Sequence, residues 1–372
     1  MNATSDLNAC GVAGISDDSS DFSTWPEVIL YPILLAIGTL GNCAVLHVLK
    51  TDAKSSRSFN SICVYLGSMA ACHLLMLWQY FPAYIYTVEL TTGSETEISA
   101  STPFTQFILV YLGLSTWIGS VLMGTSEWVL VIFSLERVAA VTFPIEIRKH
   151  ASAALALKIV LVCLAINFIS ATENLASHFY SYAKLNVESS TENNQGNAIN
   201  VPDWLRQWEN LQEAFGITSM IIRFIILLVT NLTLIIFINR RRKQSQRCSS
   251  PTLSTGSKQP ARTKERKHAN LLLFASYALY FSTHLPVLVY TILTLAASPP
   301  FCTYQFPGNA QPLWSAASNL LILSDCSLTI LFYGSVSRKF RKPFCCLGKR
   351  VPLNQAVSST ESLESGSTTV GH

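Results

Sequence analysis

Several ionisable side chains fall inside long apolar stretches of this chain, His73, Glu127, Arg223 and Asp325 among them. Each such group costs about 2.5–3.5 kcal/mol to insert into hydrocarbon, so by default it marks function. Glu127 and Arg223 both fall near the middle of their stretches. Neither charge is tolerable alone there, whereas a bidentate carboxylate–guanidinium pair satisfies both. The sequence therefore predicts a buried Glu127–Arg223 pair; an Arg223 that reaches an outer vestibule to meet ligand is the alternative. His73 lies about 14 residues into its stretch and Asp325 about 13 before Arg338, so both sit roughly 20 Å from the inner boundary. That shared depth predicts a hydrogen bond or ion pair between them, with two separately hydrated polar residues as the alternative.

The elements that must hold these groups are seven apolar stretches, beginning near Val28, Ile62, Phe104, Ala151, Ile217, Ala269 and Leu313. Each is long enough for the roughly 20 residues a helix needs to cross a bilayer. The chain is 49% hydrophobic and only 13% charged, about half the charge of a soluble domain. Pro286 should kink the sixth span. The expected fold is all-α, a seven-transmembrane helix bundle.

Charge sorts by side. Lys50, Lys54 and Arg57, then Arg148 and Lys149, then a long basic run from Arg240 to Lys267 fall between spans on one face. The other face carries Glu89, Glu95, Glu188, Glu192 and Glu209, and only Lys184 and Arg206 as bases. Cytoplasmic loops collect Lys and Arg, so the N-terminus is expected outside and the C-terminus inside, at the plasma membrane. The net charge of +4 is thus no nucleic-acid signal: the basic clusters abut spans and suit lipid and partner contact. Residues 1–27 are acidic without Lys or Arg, so the first span is expected to serve as its own uncleaved insertion signal.

The expected organisation is an extracellular tail over 1–27, a seven-transmembrane receptor domain over 28–346 and a cytoplasmic Ser/Thr-rich tail over 347–372. Asn2 opens an exposed glycosylation sequon. Of ten cysteines, Cys10 and Cys302 face the oxidising side and either pair or stay free. Arg338 to Cys346 reads as a short amphipathic surface helix whose Cys345 and Cys346 suit palmitoylation. The last Ser/Thr-rich residues suit phosphorylation, hence receptor kinases and arrestin as partners. The basic linker after the fifth span is expected to be disordered. No nucleophile, metal-ligand or phosphate-cradling motif points to an enzyme, and no cofactor or metal is expected.

Gly41-Asn42 in the first span, Pro82 in the second, Glu136-Arg137-Val138 with Pro144 after it, Pro286 in the sixth and Tyr333 followed by Phe340 form an ordered set. With it the chain resembles a rhodopsin-like (class A) G-protein-coupled receptor, in divergent form, over about 28–346. The resemblance implies an extracellular ligand held between the outer helix ends and a heterotrimeric G protein at an inner crevice. Glu136, Arg137 and Tyr333 would form the switch, since a guanidinium can exchange partners without losing its charge. It also implies that His73 and Asp325 stand where the family, with Ser126 and the place of Thr329, binds sodium. A protonated His73 would then supply the cation internally. Glu127 and Arg223, with Tyr280, take positions that in the family form an apolar connector which repacks on activation.

Departures from the pattern are equally specific. The family's cysteine on the outer third span is replaced by Leu112, and the sixth and seventh spans read Thr283-His284-Leu285-Pro286 and Thr329-Ile330-Leu331-Phe332-Tyr333. Gly119 replaces the Asp of amine receptors, and Leu323 replaces the Lys of retinal proteins. Asn231 is similar to FMRFamide-type neuropeptide receptors of invertebrates, and the acidic outer face suits a cationic ligand. A small cationic or amidated neuropeptide is therefore expected, with His284, Gly119, Trp204 and Trp208 as candidate contacts. Plain interfacial aromatics and a satisfied interior histidine are the alternatives there. A seven-span scaffold or co-receptor without coupling, or a transporter using the buried charges, are the rival functions.

Overall fold

The computed structural model describes residues 20–55, 61–92, 103–150, 152–172, 174–176, 178–180, 203–248, 260–297, 303–307 and 310–336. Among the described residues the chain is helical and has no strand. Its elements are α1 (Ser20–Ser55), α2 (Ser61–Gln79), α3 (Phe81–Thr92), α4 (Pro103–Thr142), α5 (Pro144–His150), α6 (Ala153–Ser170), α7 (Asp203–Cys248), α8 (Pro260–Ala297) and α9 (Ala310–Val336). Helix boundaries follow local chemistry. Pro144 opens α5, where a missing N–H costs nothing. Ser152 caps α6 from an extended backbone, its hydroxyl accepting from the Leu155 N–H at 3.2 Å.

Six stretches among the described residues are long and apolar enough to cross a membrane: Glu27–Thr51, Ser61–Glu89, Val110–Thr142, Ala153–Tyr180, Ala214–Phe237 and Tyr277–Ala297. The last helix, α9, has 27 residues and packs between α8 and α1. The contacts close a ring, α1–α2–α4–α7–α8–α9 and back to α1, with α6 outside against α2 and α4. This is a helical membrane bundle.

Two apolar cores stack inside the ring. One gathers Val45, Tyr65, Phe133, Val160, Leu227 and Tyr280; the other gathers Tyr31, Met76, Leu77, Leu122, Leu323 and Cys326. His73 and Glu127 lie in sequence between members of the two cores, and Asp325 lies within the second, between Leu323 and Cys326. The seam between α1 and α9 is the densest and is stitched by polar groups. Asn42 Nδ2 donates to the Cys326 carbonyl at 3.0 Å, and Ser327 Oγ to the Leu34 carbonyl at 2.9 Å. Gly38 makes this approach possible: a Cβ there would collide with Leu77 and stand 3.2 Å from the Ser327 Cα.

Two expectations differ from the structure. The basic run after the fifth span is helical as far as Cys248, and α8 already begins at Pro260. Arg, Lys and Gln are good helix formers, so charge alone does not end the helix. The second span is not one helix: it breaks at Tyr80, just before Phe81-Pro82. The turn leaves the Gln79 carbonyl to accept from Tyr111 Oη at 2.5 Å and Ser115 Oγ at 3.3 Å.

Candidate functional site

Glu127 on α4 is 4% exposed, and its carboxylate faces two cationic or potentially cationic groups. Arg223 Nη2 on α7 stands 2.9 Å from Oε2, and His284 Nε2 on α8 stands 3.0 Å from Oε1. Both contacts have ion-pair distances, yet neither N–H aligns on the carboxylate as a hydrogen bond. The bidentate pair predicted from sequence is thus replaced by a shared carboxylate, one oxygen to each neighbour. The reason is His284, whose depth brings a second donor to the same acid.

The surroundings hold this arrangement rigidly. His284 Nδ1 lies 2.9 Å from Thr283 Oγ1, and its ring stacks on Tyr280 at 4.1 Å between centroids. That stack is an i,i+4 pair on one helix face. Tyr280 in turn meets Phe224 of α7 at 5.2 Å, and the Arg223 guanidinium lies 5.8 Å from the centre of the Trp128 ring. The Tyr280 hydroxyl and Arg223 Nε are buried and have no hydrogen-bond partner among the described residues. Unused donors beside a shared acceptor give the cluster alternative pairings without adding any charge.

His73 on α2 and Asp325 on α9 are the other two ionisable groups inside the bundle that the sequence paired. The structure does not join them to each other: no hydrogen bond or ion pair links the two, and His73 Nδ1 is buried without a partner. The Thr329 hydroxyl turns to its own helix, donating to the Asp325 carbonyl at 2.6 Å, and Ser126 Oγ donates to the Met123 carbonyl at 2.9 Å. The contacts thus gather Glu127, Arg223 and His284 into one cluster of a carboxylate, a guanidinium and an imidazole, while His73 and Asp325 have no ionic contact with it among the described residues.

At the inner end of α4, Glu136 Oε1 accepts from Arg137 Nη2 and from Ser61 Oγ of α2, each at 2.6 Å. The Arg137 guanidinium also lies 5.5 Å from the Phe133 ring centre, and its Nε is buried without a partner. Among the described residues, no acid of α7 or α8 pairs with Arg137. The Tyr333 backbone is helical, and its side chain lies outside the described residues.

Toward the outer end the candidate contacts disperse. Trp204 and Trp208 lie one turn apart on the first turns of α7, 66% and 46% exposed, and meet no member of the cluster. Gly119 faces Gln79, whose Nε2 lies 2.8 Å from where a Cβ would stand; Ser115 Oγ donates to Gln79 Oε1 at 2.7 Å. The space that Gly119 leaves is filled by that amide. Asn231 is buried and donates to the Leu227 carbonyl of its own helix at 2.7 Å. Asn2, Cys10, Cys302, Cys345 and Cys346 lie outside the described residues. Sequence reading missed Ser61, Gln79 and the role of His284 as second partner of Glu127. For His284 the signal was present in its depth, close to that of Arg223 in the neighbouring span; Ser61 and Gln79 gave none.

Against known families, the sequence model of the taste receptor proteins (TAS2R) matches residues 24–324, most of the chain. No curated protein matches it. The match runs from the first helix of the ring into the last, ending at Ser324, and the family it finds is neither the rhodopsin-like class nor the FMRFamide-type receptors.

Proposed function

Since the chain belongs to the taste receptor (TAS2R) family, a family of G-protein-coupled receptors and not of enzymes, we propose that it carries an extracellular cationic ligand's signal to a heterotrimeric G protein across the plasma membrane. The observation that carries this reading is the sharing of Glu127 between α7 and α8 from its place on α4. In low dielectric a carboxylate left by either neighbour must be compensated at once. A shift of α8 relative to α4 therefore changes the pairing of Glu127, and the shift and the pairing become one event. That coupling is what a two-state transmembrane switch requires.

At the inner mouth, Arg137 is held by Glu136, which is itself tied to Ser61 of α2. Release from this local pair would free a permanently charged five-donor group for a G-protein contact. Receptor kinases and arrestin would act on the Ser/Thr-rich tail in the same reading. The ligand class rests on the acidic outer segments, which favour cations. A small amidated peptide with a basic residue remains the finer version of that class.

The test is guanine-nucleotide exchange on purified G-protein heterotrimers mixed with the receptor in lipid nanodiscs. Receptor-dependent exchange that Arg137→Ala removes is expected. No exchange with any heterotrimer class would leave the scaffold or co-receptor reading, and ion or solute flux through receptor-bearing vesicles would establish a transporter.

A further inference from the structure

Glu27, on α1, is half-buried among three elements at one end of the bundle. Its Oε1 lies 3.3 Å from Asn319 Nδ2 of α9, and its Oε2 lies 3.4 Å from the hydroxyl of Tyr80 at the α2–α3 break. Both contacts are at the long end of hydrogen-bond range. Among the described residues no Lys, Arg or His pairs with this carboxylate. Two distant neutral donors do not neutralise a formal charge that is partly removed from water.

The surroundings of that carboxylate are aromatic. Tyr84 Oη donates to the Val28 carbonyl at 3.2 Å, which pins its ring beside the residue next to Glu27. Tyr31 lies behind, 5.2 Å from the Tyr80 ring and 4.8 Å from the Tyr84 ring. It is fully buried, and its hydroxyl is spent on the Leu77 carbonyl at 2.7 Å, so it acts as a rigid backing. A half-buried carboxylate without a paired base among the described residues, met by the Tyr80 hydroxyl and set among tyrosine rings, suits an organic cation: the charge attracts it and the aromatic surround accepts its apolar substituents. It does not suit a metal ion, which would need several oxygen ligands where one carboxylate stands.

We propose that Glu27, with the rings of Tyr80 and Tyr84, receives the ammonium or guanidinium end of the extracellular ligand between α1, the α2–α3 break and α9. The inference rests on the receptor reading above and gives its cationic ligand a docking point between α1, α9 and the Tyr80 turn. Tyr80 and Tyr84 are an i,i+4 pair, the Tyr84 N–H donating to the Tyr80 carbonyl at 3.0 Å, so both rings share one face and meet Tyr31 of α1.

The experiment titrates tetramethylammonium into the full-length receptor in lipid nanodiscs without G protein, read by saturation-transfer NMR of its methyl signal. Saturable binding is expected, weakened about tenfold in Glu27→Gln, the worth of one charge-assisted contact. Tyr80→Phe, which keeps the ring, should retain most of the binding, and Tyr80→Leu should lose it. Absence of saturable binding, or binding unchanged in a Glu27→Gln receptor of unaltered melting temperature, overturns the site. Should Glu27→Gln fail to fold, unchanged binding in Tyr80→Leu overturns it equally. Nucleotide exchange is measured separately: intact exchange without Glu27-dependent cation binding sinks this site alone, and cation binding without exchange sinks the coupling alone.

Discussion

Glu127 carries more of this molecule's logic than any other side chain, because its two oxygens answer to two different helices. Removing one partner of a buried pair typically costs about 3–5 kcal/mol, so Arg223→Ala and Glu127→Ala should both lower surface expression and melting temperature sharply. Exchanging the charges, Glu127→Arg with Arg223→Glu, should recover only part of that loss, since His284 would then face a guanidinium. Full recovery, measured by surface labelling and thermal melting, would show that His284 does not depend on the carboxylate. A second residue-scale prediction concerns sodium. With the Ser126 and Thr329 hydroxyls turned to their own helices, replacing sodium by choline should leave the melting temperature unchanged. A sodium-specific rise would count against this. The depth of the charged residues was legible in the sequence because hydrocarbon makes every ionisable group conspicuous. The contact of Glu127 with Arg223 was legible on the same ground; the approach of His284 to the same acid was not, because depth ranks residues along the membrane normal and says nothing of which helices adjoin.

Among the elements, α4 is the common neighbour: it packs on α2, α6 and α7 and holds both Glu127 and the Glu136–Arg137 pair. Ser61 binds this helix to α2 at its inner end, so Ser61→Ala should loosen Glu136 and raise basal nucleotide exchange severalfold. An unchanged or lowered basal rate would show that Ser61 does not restrain the switch. On the opposite seam, Gly38→Val would push α1 off α2 and α9 by overpacking, at a cost of about 1–3 kcal/mol or more, read as a lower melting temperature. Gly119→Ala meets only the movable tip of Gln79 and should be tolerated far better. Helix existence was readable from the long apolar runs. The break at Tyr80 was not read, even though Pro82 stood in view, because a proline in a membrane helix can bend it without ending it. The extension of α7 to Cys248 was missed for a related reason: linker-like charge and helix propensity coexist in Arg and Lys.

For the whole molecule, the ring of helices is stabilised by packing and polar stitches, since lipid gives no hydrophobic drive for helices to meet. Its orientation follows from the Lys/Arg asymmetry, and epitope tags should be reachable from outside at the N-terminus and only after permeabilisation at the C-terminus. A tag at the N-terminus reached only after permeabilisation would invert the reading of both ends. The general architecture was legible because seven apolar runs and one-sided basic charge admit few alternatives. The family was not, since the motifs read from single positions pointed to one receptor class while the match over 24–324 found another.

The reach of α8 has a mechanical consequence. It runs unbroken from Pro260 to Ala297 and contains Pro286, whose ring removes the bond to the carbonyl of Ser282. From that weakened point to Pro260 the rod measures about 39 Å. Pivoting about 10° there would sweep its far tip through roughly 7 Å, while His284, beside the fulcrum, would travel only a small fraction of that. A sub-ångström displacement next to Glu127 is thereby geared up to the width of a side chain at the opposite end of the lever.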